Sequence, residues 1–400
     1  MIINHIFTNK CAMQPQRLIA LFALALAMLT AGCESVSRAY DNAFGSGPAV
    51  KPSPLSPITP TASMRIVWQG SVGPSEKQVF YPAVSGGVVY ATGAVGNVTG
   101  FDTENGKTTV QIAAGQPVSG GVGFGAGLLL LGTTKGEVLA FESTGKLLWK
   151  AQLPSEVLAP PEAQNGIVIA RAGDSRIYAL DAATGKQRWH YQRTTPALTV
   201  RTNAGALLDR GAVFAGFPGG RLVALQLSNG AIGWDAVVAL PRGTTELERV
   251  ADITSLPAID VKQVCAAAYQ GRVACLDPAR GTVLWARDIS SSSGIAIDAR
   301  NLYVTDDKGA VVALEKGAGS SLWKQDKLLN RQVSGPLPLG RYVVVGDIEG
   351  YVHLISREDG AFAARIPTDG SPISATPVAI GAATFVVQTR KGGVFAITIQ

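Results

Sequence analysis

Four hundred residues, 46% of them hydrophobic and 16% charged, are enough to bury a large core in one or two domains. Forty-six glycines and twenty-two prolines require many turns, and apolar runs after position 33 rarely exceed seven residues, so long helices have little room. The formal charge of +6 is spread along the chain with no basic cluster interleaved with aromatics, which argues against nucleic-acid binding.

At the amino terminus Arg17 precedes an apolar run, Leu18 to Leu29, followed by Thr30, Ala31, Gly32 and Cys33. A positive flank, a short apolar run and small residues before a cut describe a secretory signal, too short to span a bilayer comfortably. Met13 makes the better start, because it leaves a signal of ordinary length. Small residues directly before Cys33 resemble the bacterial lipobox, although Thr30 stands where leucine is common. That resemblance implies diacylation of Cys33 after removal of residues 1–32, with an ordinary secretory cut as the alternative. Glu34 after the cysteine, by the same resemblance, favours the outer membrane over inner-membrane retention. From Ser35 to Thr61 the composition is Ser, Pro, Gly and Ala without an apolar period, so residues 33–62 read as a lipidated cysteine and a flexible tether.

The remainder, 63–400, is repetitive. Trp149, Trp189, Trp234, Trp285 and Trp323 each lie four residues after a glycine: Gly145, Gly185, Gly230, Gly281 and Gly319. Gly106 and Gly360 keep the phase with Val110 and Ala364 in the tryptophan slot. The glycine spacings from Gly106 are 39, 40, 45, 51, 38 and 41 residues, the signature of stacked blades. Upstream of each turn is a second column of alternating strands, beginning at Gly96, Gly136, Ser175, Gly220, Gly271, Gly309, Gly350 and Gly392. Eight such columns but seven following turns leave the last blade without its outer strand. Met64-Arg-Ile-Val-Trp68 is a tryptophan strand with nothing before it. The pattern therefore predicts an all-β fold, an eight-bladed propeller closed by pairing the first strand into the last blade, which removes both open edges. Four residues into each column sit Gly100, Ala140, Ala179, Ala224, Cys275, Ala313, Leu354 and Ala396, mostly small. This resembles the tryptophan-docking packing of quinoprotein-type propellers and assigns Trp68, Trp149, Trp189, Trp234, Trp285 and Trp323 to structural docking between blades.

Other motifs carry less. Gly121-Val-Gly-Phe-Gly-Ala126 approximates a dinucleotide fingerprint but is followed by an apolar strand, Leu128 to Leu131, instead of a helix, and reads as a loop. His190 and His353 have no ligand partners at metal spacing, and no Ser/His/Asp set is suggested, so no catalytic residue, metal or cofactor is assigned. Cys265 and Cys275 flank one hairpin in an oxidising compartment: a three-residue turn would set them face to face as a candidate disulfide, and a two-residue turn would forbid it. Both remain open.

The two long spacings add residues around Thr194–Asp209 and Val237–Leu256, each after a tryptophan strand and before the next blade. Both should emerge on one rim, where a ring presents a partner surface. The second contains Gly243-Thr-Thr-Glu-Leu-Glu-Arg-Val-Ala-Asp252-Ile, and Asp347-Ile-Glu-Gly-Tyr-Val-His353 lies near the end of the chain. Both segments, with the lipobox and the repeats, resemble the BamB family, the propeller lipoproteins of the bacterial outer-membrane β-barrel assembly (BAM) machinery, over residues 33–400. The resemblance implies a non-enzymatic scaffold that binds BamA, the barrel-inserting protein, with unfolded outer-membrane proteins as further substrates, acting as a monomer within a hetero-complex. It places Leu198, Val200, Arg201, Glu246, Arg249 and Asp252 in partner-facing loops, with Thr254 standing where the family has a second acidic residue. In an extended stretch Leu198 and Val200 should point outward together and Arg201 elsewhere, while Glu246 and Arg249 have local pairing as their alternative role. Two rival classes are another envelope-binding propeller lipoprotein and a pyrroloquinoline-quinone dehydrogenase. The second lacks its adjacent cysteine pair and carboxylate-rich calcium site here.

Overall fold

The computed structural model describes residues 51–400, of which Pro52–Gln400 form one compact unit. The signal segment, Cys33 and the first part of the tether lie outside the described residues.

Among the described residues every strand belongs to one of eight four-stranded antiparallel sheets, seven of them running in chain order from a short strand at the ring axis to an outer edge. Blades 1 to 7 span Ala83–Ala113, Gly120–Gln152, Glu162–Tyr191, Leu207–Val237, Ala258–Arg287, Gly294–Gln325 and Leu337–Pro367. Blade 8 takes three strands from Val378–Ile399 and its outer strand from Met64–Ser71, which pairs antiparallel with Gly393–Ile399. The expected closure is present: Ser63 and Gln400 bond reciprocally through their backbones, so both ends of the ring sit in one sheet.

The repeat glycine has two reasons to be glycine. Gly106, Gly185, Gly230, Gly281, Gly319 and Gly360 all adopt φ between 68° and 74°, where L side chains are strained. A Cβ on any of them would also lie 2.4–2.6 Å from the indole of the preceding blade. Each of the six indole N–H groups then donates to a carbonyl of that same neighbouring turn at 2.8–3.0 Å. Every tryptophan thus stacks on, and hydrogen-bonds to, the turn of the next blade, with Trp68 of blade 8 docking on Thr103 and Gly106 of blade 1. The small column faces the tryptophans across the sheet: Ala140 pairs with Trp149, Ala179 with Trp189, Ala224 with Trp234, Ala313 with Trp323 and Ala396 with Trp68. Where blade 7 puts Ala364 in the tryptophan slot, its partner is Leu354, so apolar volume is exchanged across the pair.

Two local readings are resolved. Gly120–Gly125 is the inner strand of blade 2, not a loop. Its glycines are required because blade 3 runs so close that a Cβ on Gly123 would sit 1.8 Å from the Pro161 carbonyl oxygen and one on Gly125 2.2 Å from that of Ala163. In blade 5 a three-residue turn, Tyr269–Gly271, sets Cys265 opposite Cys275, both fully buried, and the two sulfurs are bonded.

The described end of the tether segment is docked. Ser53 donates its N–H to Leu329, Thr61 and Ala62 donate to Ala363, and Leu55 packs into the core between blades 6 and 7. Its carbonyls are held by two arginines: Ser53 accepts from Arg331 at 2.8 Å and Ser56 from Arg365 at 3.2 Å. Both arginines belong to a buried chain. Arg331 (1% exposed) bonds Asp347, Asp347 bonds His353 Nε2 at 2.8 Å, and His353 Nδ1 accepts from Arg365 at 3.1 Å. Because Arg365 donates to Nδ1, His353 carries its proton on Nε2 and is neutral. Burial, only partly offset by Asp347, holds its pKa below the ordinary 6.5. The Asp347–His353 motif is therefore a strap lock: it fixes residues 53–62 along the outer strand of the one blade with alanine in the tryptophan slot.

Candidate functional site

The two long insertions, the connections after Tyr191 and after Val237, lie on one rim with the turns between the second and third strands of each blade. Asp252 organises them. It is 2% exposed, and one carboxylate oxygen accepts the N–H of Val200 at 2.7 Å while the other accepts that of Gly219 in the blade 4 turn at 3.0 Å. Its own carbonyl accepts from Tyr269 in the blade 5 turn. One residue thus ties four backbone segments. Two further contacts run alongside: the Thr202 hydroxyl donates to the Thr254 carbonyl at 2.7 Å, and Ile253 N–H reaches Phe217. Thr254, in the place of a second carboxylate, contributes only its backbone to this clamp.

The other candidates divide by exposure. Leu198 is 44% exposed, and Arg201 is exposed. Val200 is half-buried, its N–H is committed to Asp252, and it lines a small cavity beside the blade 3 turn. No strand ladder pairs this stretch among the described residues, and its backbone is held by the clamp instead. Arg201 forms a bidentate pair with Glu156 on the blade 2–3 connection, Nε to one oxygen at 2.9 Å and Nη2 to the other at 2.8 Å. That pair holds the Glu156 carboxyl below the usual range. Glu246 and Arg249 are exposed and make no ion pair with each other among the described residues. The carboxylate that builds their loop is Glu248: it accepts the N–H groups of Thr244 and Thr245 while its own N–H bonds the Thr245 hydroxyl. This is a capping box, legible as Thr245-x-x-Glu248. Glu156, Glu248 and Arg171, whose guanidinium lies under the first insertion, are site residues that the sequence reading missed. Leu247 and Leu240 project from the second insertion at 72% and 63% exposure, so the rim carries apolar groups beside charges.

The ring axis offers a second concavity, a cavity of about 560 Å³ lined by residues in or just before the inner strands of all eight blades, including Phe124, Glu162, Leu256 and Leu337. Desolvation pushes the Glu162 carboxyl up to about 7. Among the described residues no three His, Cys, Asp or Glu side chains converge as metal donors.

Comparison with known proteins agrees with this geometry. A family described as outer membrane protein assembly factor BamB matches residues 96–325. The outer membrane protein assembly factor BamB of Nitrosomonas eutropha is 48% identical over 347 residues, covering 86% of this chain and 83% of that protein. Its counterpart from Burkholderia pseudomallei is 41% identical over 345 residues, covering 86% and 90%. The crystal structure of BamB from Moraxella catarrhalis superposes with a TM-score of 0.77 at 27% identity, over 84% of this chain and all of that one. A quinohemoprotein alcohol dehydrogenase from Comamonas testosteroni reaches a TM-score of 0.68 over 84% of this chain and 76% of its own, at 13% identity, a likeness of fold alone.

Proposed function

The chain belongs to the BamB family of outer membrane protein assembly factors, and from that premise we infer that it is a non-enzymatic scaffold lipoprotein of the β-barrel assembly complex, binding BamA and assisting outer-membrane proteins to fold and insert. It works at the outer membrane. The observation that carries this reading is 48% identity to an assembly factor spread along 86% of the chain, which includes both rim insertions.

The finer assignments are ours. Leu198, Val200, Arg201, Glu246 and Arg249 form the BamA-facing surface, and Asp252 positions it from beneath by fixing the Val200 and Gly219 amides. The partner meets two apolar projections, Leu198 and Leu247, flanked by guanidinium and carboxylate groups, the composition of an interface hot spot with a polar rim. Removal of residues 1–32 and acylation of Cys33 supply the anchor, and unfolded outer-membrane proteins are further substrates of the assembled complex.

Pull-down of the solubilised, lipidated protein tests the function: BamA should be recovered, and quinone-dependent alcohol oxidation without BamA recovery would instead make it a dehydrogenase. Cys33→Ser should move the folded propeller from the membrane fraction to the soluble periplasm in cells lacking BamA. Retention on the membrane in such cells would refute the anchor.

A further inference from the structure

Arg171 ends the second strand of blade 3 directly under the first insertion and is 5% exposed. One end of its guanidinium donates to the Ala204 carbonyl at 3.2 Å, and its face lies 5.5 Å from the Phe217 ring centroid. The other terminal nitrogen, Nη2, is buried without a hydrogen-bond partner. No carboxylate lies within ion-pair distance of it among the described residues. Asp252 attracts it through space, but both Asp252 oxygens are spent on the Val200 and Gly219 amides. The neighbouring Arg201 is likewise spent, on Glu156, and the Thr202 hydroxyl on Thr254. A buried guanidinium with an idle donor is costly unless something accepts from it. Desolvation lowers the Arg171 pKa to about 10, the mark of a cation short of counter-charge.

Arg171 is one of the residues that line a cavity of about 120 Å³, bounded also by Gly173, Ser175, Thr199, Val200 and Arg201. It lies against Thr199–Arg201, inside the surface assigned above to the partner. The cavity has room for one side-chain carboxyl group and presents a cation, a hydroxyl and backbone to it.

We propose that this cavity is a receptor for a single acidic side chain of the docked partner, whose carboxylate pairs with the Arg171 guanidinium and completes the charge that Asp252 leaves unbalanced. This rests on the rim being the BamA-facing surface. It turns a general apolar and charged interface into one with a specified anchor: an Asp or Glu inserted beside Leu198. The guanidinium is pre-formed and held by Ala204 and Phe217, so little side-chain freedom is lost when the carboxylate arrives.

The test has two arms. In the first, thermal unfolding of the protein is followed in sodium acetate and sodium propionate against sodium chloride at equal ionic strength. A ligand bound only by the folded state raises the melting temperature with concentration. The carboxylates should raise it in the wild type and have no such effect on Arg171→Met. Stabilisation no greater than that by chloride overturns the proposal, as does stabilisation by inorganic phosphate but not by carboxylates. In the second arm purified BamA is titrated against wild type, Arg171→Met and Ser175→Asp. Ser175 lines the cavity with φ +66°, a conformation aspartate tolerates, so its carboxylate would fill the site from within while Arg171 stays in place. Both variants should bind BamA at least tenfold more weakly, and Ser175→Asp should melt no lower than wild type. Wild-type affinity in both variants sinks the receptor while leaving the rim assignment intact. Failure of wild type itself to bind BamA sinks the rim assignment, and the carboxylate arm still reads the cavity.

Discussion

At the residue scale, Arg201 and Asp252 are both charged, both in the insertions, and opposite in role. Arg201 is exposed and paired with a part-exposed carboxylate, an arrangement worth at most about 1 kcal/mol to the fold. Truncating it leaves stability nearly unchanged while removing an exposed guanidinium whose Nη1 is not engaged by Glu156. We expect Leu198→Ala with Arg201→Ala to weaken BamA binding by about 2 kcal/mol or more, as hot-spot truncations do. Affinity and thermal unfolding measured on one sample decide: lost stability with unchanged affinity would mean that these side chains serve only their own loop. Asp252 is the reverse case. Asp252→Asn keeps the shape but offers one acceptor oxygen where two backbone amides now bond, so one amide loses its partner at about 1–3 kcal/mol. Hydrogen exchange should accelerate at Val200 or Gly219, and BamA binding should fall through loss of loop order. Unchanged protection at both amides would refute the clamp. The family likeness flagged Leu198 and Asp252 but missed Glu156 and Arg171. Arg201–Glu156 spans 45 residues and Arg171–Ala204 spans 33, and no local periodicity reports contacts between neighbouring blades.

At the element scale, the seam between blades is where the repeat shows its energetics. Gly230 combines φ +74° with a Cβ position 2.6 Å from Trp189, while Gly340 has φ +57° and open space around it. Gly340→Ala should cost about 1–2 kcal/mol, the conformational penalty alone. Gly230→Ala should cost about 2–4 kcal/mol, because overpacking against the docked indole adds to it. Equal losses in denaturant unfolding would mean that the indole yields freely. The strap lock makes a pH prediction. His353 has its folded pKa depressed below 6.5, so the unfolded chain takes up its proton first as pH falls. Its contribution is fully present above pH 6.5 and drains away below it, through the folded pKa. His353→Gln, which retains a donor toward Asp347, should flatten the fall in stability as pH drops below about 6.5. An identical slope in the variant would remove His353 from that role. The strap itself was not legible: Ser- and Pro-rich composition reads as tether, because the segment is held mainly through its backbone carbonyls and N–H groups, which every sequence has. The glycine-rich strand of blade 2 was misread for a related reason, since what excludes side chains there is the backbone of blade 3.

At the scale of the whole molecule, eight blades were countable because six repeat one demand, a small residue facing a tryptophan that must meet a glycine turn, and the other two keep its phase. Closure was readable from the same demand, as an unfilled outer strand at one end and an unpreceded tryptophan strand at the other. The ring is therefore only as strong as the Met64–Ser71 clasp, which joins blade 8 to the chain's beginning and carries Trp68 to blade 1. Opening it exposes the edge of Gly393–Ile399 and undocks an indole buried to 6% exposure, alone worth about 3–5 kcal/mol by truncation. Deleting Met64–Trp68 should thus lower the melting temperature far more than deleting residues 35–50, which precede the docked strap. Trp68→Ala isolates the dock from the strand: it should cost about as much as Trp234→Ala in the middle of the ring, since both indoles make the same stack and the same bond to the next turn. If the two deletions melt alike, the ring does not depend on its clasp. If Trp68→Ala is far milder than Trp234→Ala, the blade 8 to blade 1 seam is held by the strand pairing alone.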